Sequence, residues 1–384
     1  MKILFITETD SIWVVEYLKN VFDLNDKSNQ ISILSLKNTE FVDFYSNNNI
    51  KVYTYYSEKK LFVQRWLFRY KQVQRIKKEL GDCDVIQVNL VTLPALTMLK
   101  KLWSLSPKHI LTFWGSDILR VSDKTFGIYK KYFDKVDSIN LLTDNMYQRL
   151  IEKFGHQYDD KTTVFDFGCP MYGSIDEVRR TITKAECKEY WGISPDDYVV
   201  PIGYNSIPEQ QHIKVIEAIK DIDSKLKDKI TFILHFAYGI GDSTKYLDEV
   251  KNILDANGLK YIVIDRYLDK KETSILRLST DIFLYAQTTD ALSASVIEYL
   301  YSGCILVKPD WLNYPELDSR GVKYISYSGF DTLHRAFEEA IGELKASEQT
   351  DNKYSNNRDI LWNMNSWEVV VPKWRALYEG QFRL

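Results

Sequence analysis

Cysteine is scarce in this chain of 384 residues: Cys83, Cys169, Cys187 and Cys304 stand far apart, with no C-x-x-C pair. Neither a disulfide framework nor a thiolate zinc site fits that scatter, so the four read as packing residues. Long apolar runs are missing as well. None approaches the about eighteen residues of a membrane helix, and the opening "MKILFITETD" meets acids too soon for an export signal. A cytoplasmic protein is expected. The net charge of −3 supplies no general basic field, which argues against a nucleic-acid partner. G-x-S-x-G, H-E-x-x-H and P-loop signatures are absent, and with them the hydrolase, zincin and P-loop readings.

What the sequence does contain is an alternation of strand-like and helix-like segments. "KILFITE", "QISILSL", "CDVIQVNL", "HILTFWG" and "SINLLT" are short apolar runs separated by stretches with helical spacing, the pattern of parallel βαβ units. The rhythm lapses over 171–197 and resumes with "YVVPIGYN", "ITFILHFA", "YIVIDRYL", "DIFLYAQ" and "CILVKPD". The length exceeds what a single core ordinarily serves. The expected architecture is therefore α/β, two tandem Rossmann-like domains with a cleft between them. Residues 1–175 form the first domain and 176–365 the second, and an amphipathic helix over 366–384 packs back toward the first.

Ligands of open parallel sheets bind beyond the carboxyl ends of the strands, so the loops there hold the candidate residues. The stretch "TTDALSASVIEYLYSG" follows the strand "DIFLYAQ" and opens a helix that Gly303 closes. Asp290 falls in its loop and Glu298 in its helix. The backbone N–H groups around Leu292 and Ser293 would meet an anion at the helix start, and carboxylates on either side suit sugar hydroxyls. A nucleotide sugar has that composition. The alternative makes Asp290 an aid to the cap and Glu298 a polar helix residue.

An acid-x7-acid element opening a helix of the second of two Rossmann-like domains, with a further helix beyond that domain, resembles the GT-B glycosyltransferases. The similarity is greatest to the retaining group that includes sucrose synthase and bacterial mannosyltransferases. In that group the first acid contacts the donor sugar and the second the ribose, which implies sugar contact by Asp290, here an aspartate in place of glutamate, and ribose contact by Glu298. The family's phosphate-clamping Arg and Lys are absent from the loop "GYNSIPEQQH", where Asn205, Ser206 and His212 are the polar candidates. Together with "FAYGIGDSTKYLDEV", which carries Tyr238, this loop is similar to bacterial acetamido-dideoxygalactose transferases. Arg266 and Tyr267 stand where the family reads the base, a surface ion pair being the alternative for Arg266. The family's glycine-rich first loop is also missing, since "TETDSIW" has no glycine.

In "TFWGSDILR", a turn that recurs in bacterial polysaccharide glycosyltransferases, Trp114 and Ser116 would face the acceptor. Asp117 would orient or deprotonate its hydroxyl, or else cap the next helix. Asp82 and Asp84 precede their strand, and Asp221 and Asp223 lie late in a helix, so neither DxD pair is placed to hold a metal diphosphate. The resemblance thus implies a metal-independent hexosyltransferase with no cofactor beyond its nucleotide-sugar donor. Its acceptor is a saccharide or lipid-linked saccharide in surface polysaccharide synthesis. A nucleotide-sugar epimerase and a non-catalytic sugar-binding protein are the alternatives.

One segment is strongly basic. Between Lys59 and Glu79 lie eight cations and one acid, interleaved with Leu61, Phe62, Trp66, Leu67 and Phe68. Arg65, Trp66 and Arg69 are candidates for contact with an anionic membrane at its cytoplasmic face. The alternative is a surface helix that turns Phe62, Trp66, Val73, Ile76 and Leu80 inward.

Overall fold

The computed structural model describes all residues except 8–11, 27, 38–40, 57–61, 240, 348–352 and 382–384. The loop expected to hold the start of the first domain's site and the residues Lys59, Lys60 and Leu61 fall outside the described residues. The chain forms two compact units, one of Met1–Gly168 with Trp367–Leu384 and one of Cys169–Ser366.

In the first unit the strands are β1 (Lys2–Thr7), β2 (Gln30–Ser35), β3 (Lys51–Thr54), β4 (Val85–Asn89), β5 (Lys108–Thr112), β6 (Ser138–Leu141) and β7 (Thr162–Val164). They make one parallel sheet in the order β3-β2-β1-β4-β5-β6-β7. The strand order reverses between β1 and β4, which is the doubly wound pattern and marks the place where ligands of such sheets sit. Five of the strands are nearly continuous buried apolar runs, as a sheet covered by helices on both faces requires. Their carboxyl ends are polar. Thr54, Ser35, Thr7, Asn89, Thr112, Asn140 and Thr163 stand in register across the whole sheet.

The helix Trp367–Glu379 belongs to this unit. Trp374, fully buried, packs edge-on to Tyr17 at 4.8 Å and to Phe165 at 4.8 Å, and stacks on Phe167. Tyr378 donates to Gln87 on β4 and shares a hydrogen bond with Tyr17, and Gln87 passes the chain on to Asn89 and Thr112 at 2.9 Å each. The Lys108 ammonium donates to the carbonyls of Leu377 (2.6 Å) and Tyr378 (2.8 Å), which satisfies the helix's last carbonyls with a positive charge. Gly168 has φ +122, and a Cβ there would lie 2.6 Å from the Trp367 ring, so only glycine lets the ring lie against the backbone.

The second unit has β8 (Tyr198–Pro201), β9 (Ile230–His235), β10 (Lys260–Ile264), β11 (Ile282–Leu284), β12 (Ile305–Pro309) and β13 (Ile325–Tyr327). All pairings are parallel, in the orders β10-β9-β8 and β11-β12-β13. A bridge from Ile202 to Leu284 joins the two halves at the point where strand order reverses. Helices Tyr172–Thr181 and Lys184–Tyr190 occupy the stretch that had lost its rhythm. The short strands β3 and β13 and the helix Phe330–Ser347 were not anticipated. Apolar clusters cover both faces of the sheet, and all four cysteines are buried and outside any disulfide.

Among the described residues no helix is long and apolar enough to cross a membrane. Trp374→Ala is expected to lower the stability of the first unit by about 3–5 kcal/mol, the range for removing a fully buried aromatic ring, read as a shift of its urea-unfolding transition.

Candidate functional site

At the carboxyl ends of the second unit's strands, the loop after β8 is braced by its own polar residues. Asn205 Oδ1 accepts from the Ile207 N–H at 3.2 Å, and Ser206 Oγ donates to the Tyr238 carbonyl at 2.9 Å. The loops after β8 and β9 approach so closely that a Cβ on Gly239, at φ +135, would lie 2.7 Å from Ser206 Oγ. Asn205 and Ser206 thus hold loops together, where ligand contact had been expected of them. His212 is a clear correction. Its ring is fully buried against Phe236 and Tyr246, its Nδ1 pairs with Tyr246 Oη at 3.1 Å, and burial pushes its pKa down to about 3. Neutral and enclosed, it is a core histidine and not a phosphate donor.

Arg266 is corrected in the same way. Its guanidinium makes a two-point pair with Glu272 at 2.6 and 2.9 Å, and Glu272 also closes the capping box of the helix Lys270–Ser279 and accepts from Tyr190. The surface ion pair is what forms. Tyr267, by contrast, is 76% exposed and stacks on Tyr238 with ring centres 6.0 Å apart and planes 17° from parallel. Two stacked phenol rings beyond β9 and β10 offer a flat apolar face suited to a base.

The stretch "TTDALSAS" begins with a held turn. Asp290 Oδ2 accepts from the Ser293 N–H at 2.8 Å and from Tyr314 Oη at 2.7 Å, while Leu292 takes a left-handed φ of +63. The Ser293 N–H is therefore bound to Asp290 and is not free for an anion, which corrects its expected role. Asp290 serves the cap. Ser293 precedes the helix Ala294–Ser302 without any side-chain cap bond, so the donors beyond it at the helix start carry no side-chain acceptor.

Glu298 is 6% exposed and its Oε2 accepts from Arg277 Nε at 3.0 Å. A carboxylate held inside by a guanidinium is not displayed to a ribose, so this expectation too is revised. Burial raises the Glu298 pKa, and Arg277 opposes the rise. Arg277 was missed in the sequence. Its signal was a lone arginine inside the apolar "SILRLS", where solvated positions of that helix are few.

In the first unit, Asp117 lies in the short helix Ser116–Leu119 and is buried. Its Oδ2 accepts from the Val91 N–H at 2.7 Å, and its Oδ1 from the N–H groups of Trp114 and Gly115 at 2.9 Å each. Those bonds fasten the turn after β5 to the loop after β4, where Leu90 has φ +63. With both oxygens engaged by backbone, Asp117 is a brace and not an acceptor base. Burial raises its pKa to about 6 despite the three bonds, which pull it down. Trp114 packs edge-on to Phe167 at 5.2 Å, whereas Ser116 is exposed.

The helix Phe62–Leu80 is anchored by Val73, Ile76 and Leu80. Trp66 departs from the inward face that the alternative reading gave it: it is 56% exposed and stacks on Tyr70 at 5.8 Å. Arg65 and Arg69 are exposed beside it, and Arg69 and Lys101 both sit over the Tyr55 ring. These residues line a groove of about 830 Å³ whose walls, among the described residues, carry Arg65, Arg69, Lys77 and Lys101 and no carboxylate.

Residues 2–144 match the model of a family described as glycosyl transferase 4-like. No curated protein matches the chain in sequence. Solved structures match over its full length. Anabaena Alr3699/HepE, in complex with UDP, is 13% identical with a TM-score of 0.72, covering 99% of this chain and 100% of its own. A glycosyltransferase of Rickettsia africae is 15% identical with a TM-score of 0.73, covering 99% and 98%. Sucrose-phosphate synthase of Thermosynechococcus elongatus is 10% identical with a TM-score of 0.72, covering 99% of both chains. The fold is GT-B, two Rossmann-like domains in tandem. That is the fold its acid-x7-acid element and terminal helix had implied.

Because folding raises the Asp117 pKa above the unfolded value of about 3.9, the folded state binds more protons between roughly pH 4 and 6, and this residue's contribution to stability falls as pH rises through that window. Asp117→Asn should flatten that part of the melting temperature against pH, and should destabilise the fold at neutral pH by turning amide hydrogens toward backbone donors. Identical slopes in the two proteins would show that Asp117 does not titrate there.

Proposed function

We propose that this enzyme transfers a sugar from a nucleotide-diphosphate donor, held by the second unit, to a saccharide or lipid-linked saccharide held by the first, in the synthesis of bacterial surface polysaccharide. One observation carries the donor half: the stacked Tyr238–Tyr267 pair stands at the carboxyl edge of the second sheet, and Tyr238 is within electrostatic reach of the buried Arg277. The rings would receive the base, and the guanidinium would answer the diphosphate charge that develops as the sugar leaves. HepE, of the same fold, has been solved with UDP and with UDP-glucose, which supports a uridine donor. In this reading no metal and no cofactor take part.

The basic groove supports the lipid-linked form of the acceptor. Trp66 and Tyr70 form an amphipathic aromatic face among cations, a composition that rests on anionic head groups at the cytoplasmic side of a membrane.

Incubation with a panel of nucleotide sugars, with and without membrane lipid extract, should release free nucleotide only when acceptor is present. Isomerised donor without acceptor would indicate an epimerase, and binding without turnover a sugar-binding protein. Tyr238→Ala and Tyr267→Ala should each weaken UDP binding by about 1–3 kcal/mol, a loss of five- to 150-fold measured by calorimetry. Arg69→Ala should cut co-sedimentation with anionic vesicles about fivefold, at roughly 1 kcal/mol per cation, and leave neutral vesicles unaffected.

A further inference from the structure

We infer that Arg277 and His235 form the anion pocket that receives the donor's diphosphate, in place of the cations missing from the loop after β8. The inference deepens the nucleotide-sugar reading and rests on it. Arg277 is 3% exposed. Its guanidinium is located from three sides, by Glu298 on Nε, by Ser295 Oγ at 3.3 Å from Nη2, and by the Tyr299 ring 4.0 Å below. Nη1 is buried with no partner. A buried charged N–H without an acceptor is disfavoured, and such groups persist where a ligand supplies what the protein withholds.

His235, the last residue of β9 and 7% exposed, has both ring nitrogens buried and unpartnered. It lies edge-on to Tyr238 with ring centres 5.7 Å apart, and it feels the Arg277 charge, which together with burial keeps it neutral. A neutral imidazole has one donor to offer, and a diphosphate beside it would also favour a second proton. The third component is the start of the helix Ala294–Ser302. Ser295, which holds Arg277, is its second residue, and the Ser293 hydroxyl at the helix start makes no cap bond. Its dipole and first N–H groups add positive potential next to Ser295 and the guanidinium that Ser295 holds.

Were Arg277 only the structural partner of Glu298, the pair would need neither a second guanidinium nitrogen left bare nor a histidine with two bare nitrogens beside it. Glu298 then has a different task from ribose contact. It is a positioning residue that fixes the guanidinium plane so that Nη1 points away from the pair.

The test is calorimetry on the full chain with inorganic pyrophosphate, UDP and uridine. Wild-type protein should bind pyrophosphate competitively with UDP. Arg277→Lys and Arg277→Met should weaken pyrophosphate and UDP at least tenfold and leave uridine unchanged, His235→Ala should do the same more weakly, and Glu298→Gln should follow Arg277 without changing uridine. His235→Ala serves if the Arg277 variants fail to fold by circular dichroism. Unchanged UDP affinity in the variants, equal losses for UDP and uridine, or no pyrophosphate binding to the wild type would overturn the pocket. The two proposals separate cleanly. Sugar transfer that survives Arg277→Lys with unchanged UDP affinity removes the pocket and keeps the enzyme reading, while Arg277-dependent pyrophosphate binding without any transfer keeps the pocket and removes the other.

Discussion

A guanidinium taken out of water loses hydration that a single carboxylate oxygen restores only in part, and the second unit's carboxyl edge is organised around that deficit. Arg277 is given Glu298, the Ser295 hydroxyl and the face of Tyr299, and one of its nitrogens still has nothing to bind. The surroundings follow from this. Glu298 must stay inside, where burial raises its pKa and the Arg277 charge opposes the rise. Asp290, free of that duty, closes the turn that sets the helix in place, through the Ser293 N–H and Tyr314. The two acids of the x7 element therefore act on the protein itself, one on a turn and one on an arginine.

The first unit solves a similar problem with neutral groups. A polar row crosses the carboxyl ends of its strands, and at its centre Gln87 links Asn89 and Thr112 on one side to Tyr378 and Tyr17 on the other. Buried amides and phenols tolerate enclosure as long as each finds a partner, and the connected chain provides that for Gln87, Tyr17 and Tyr378 while leaving Asn89 Nδ2 without one. Asp117 is a carboxylate at this edge, and three backbone N–H groups compensate its enclosure only in part.

Much of the architecture was legible because it is written in short-range pattern. Alternating apolar runs and helical spacing announce parallel βαβ units, and nothing in the middle distance interferes with them. Strands of three or four residues such as β3 and β13 carry too little pattern to be seen. The position of the x7 element was legible as well, at the end of β11 and the start of a helix. What each acid binds was not, because the answer depends on Arg277, twenty-one residues from Glu298 on another helix. His212, Arg266 and Asp117 were misread for the same reason. Residue type and loop position were visible, but the partners that engage them, Tyr246, Glu272 and the Val91 backbone, are set by tertiary packing. For Trp66 the alternative that turned it inward fails, because helical spacing names a face without showing how far along the helix the core extends.

The helix Trp367–Glu379 also bears on how the protein is made. Its Trp374 completes the core beside β1, and Lys108 closes it by bonds to carbonyls 269 and 270 residues away. The second unit is one continuous stretch, Cys169–Ser366, whereas the first is interrupted by all of it. On a ribosome, the earlier-synthesised sheet must wait for nearly the whole chain to emerge before its last wall arrives, while the later unit can close first. Contacts so distant in sequence form slowly. Until then the apolar rings of Tyr17, Phe165 and Phe167 await their cover, and that interval is when a nascent chain of this kind most needs a chaperone.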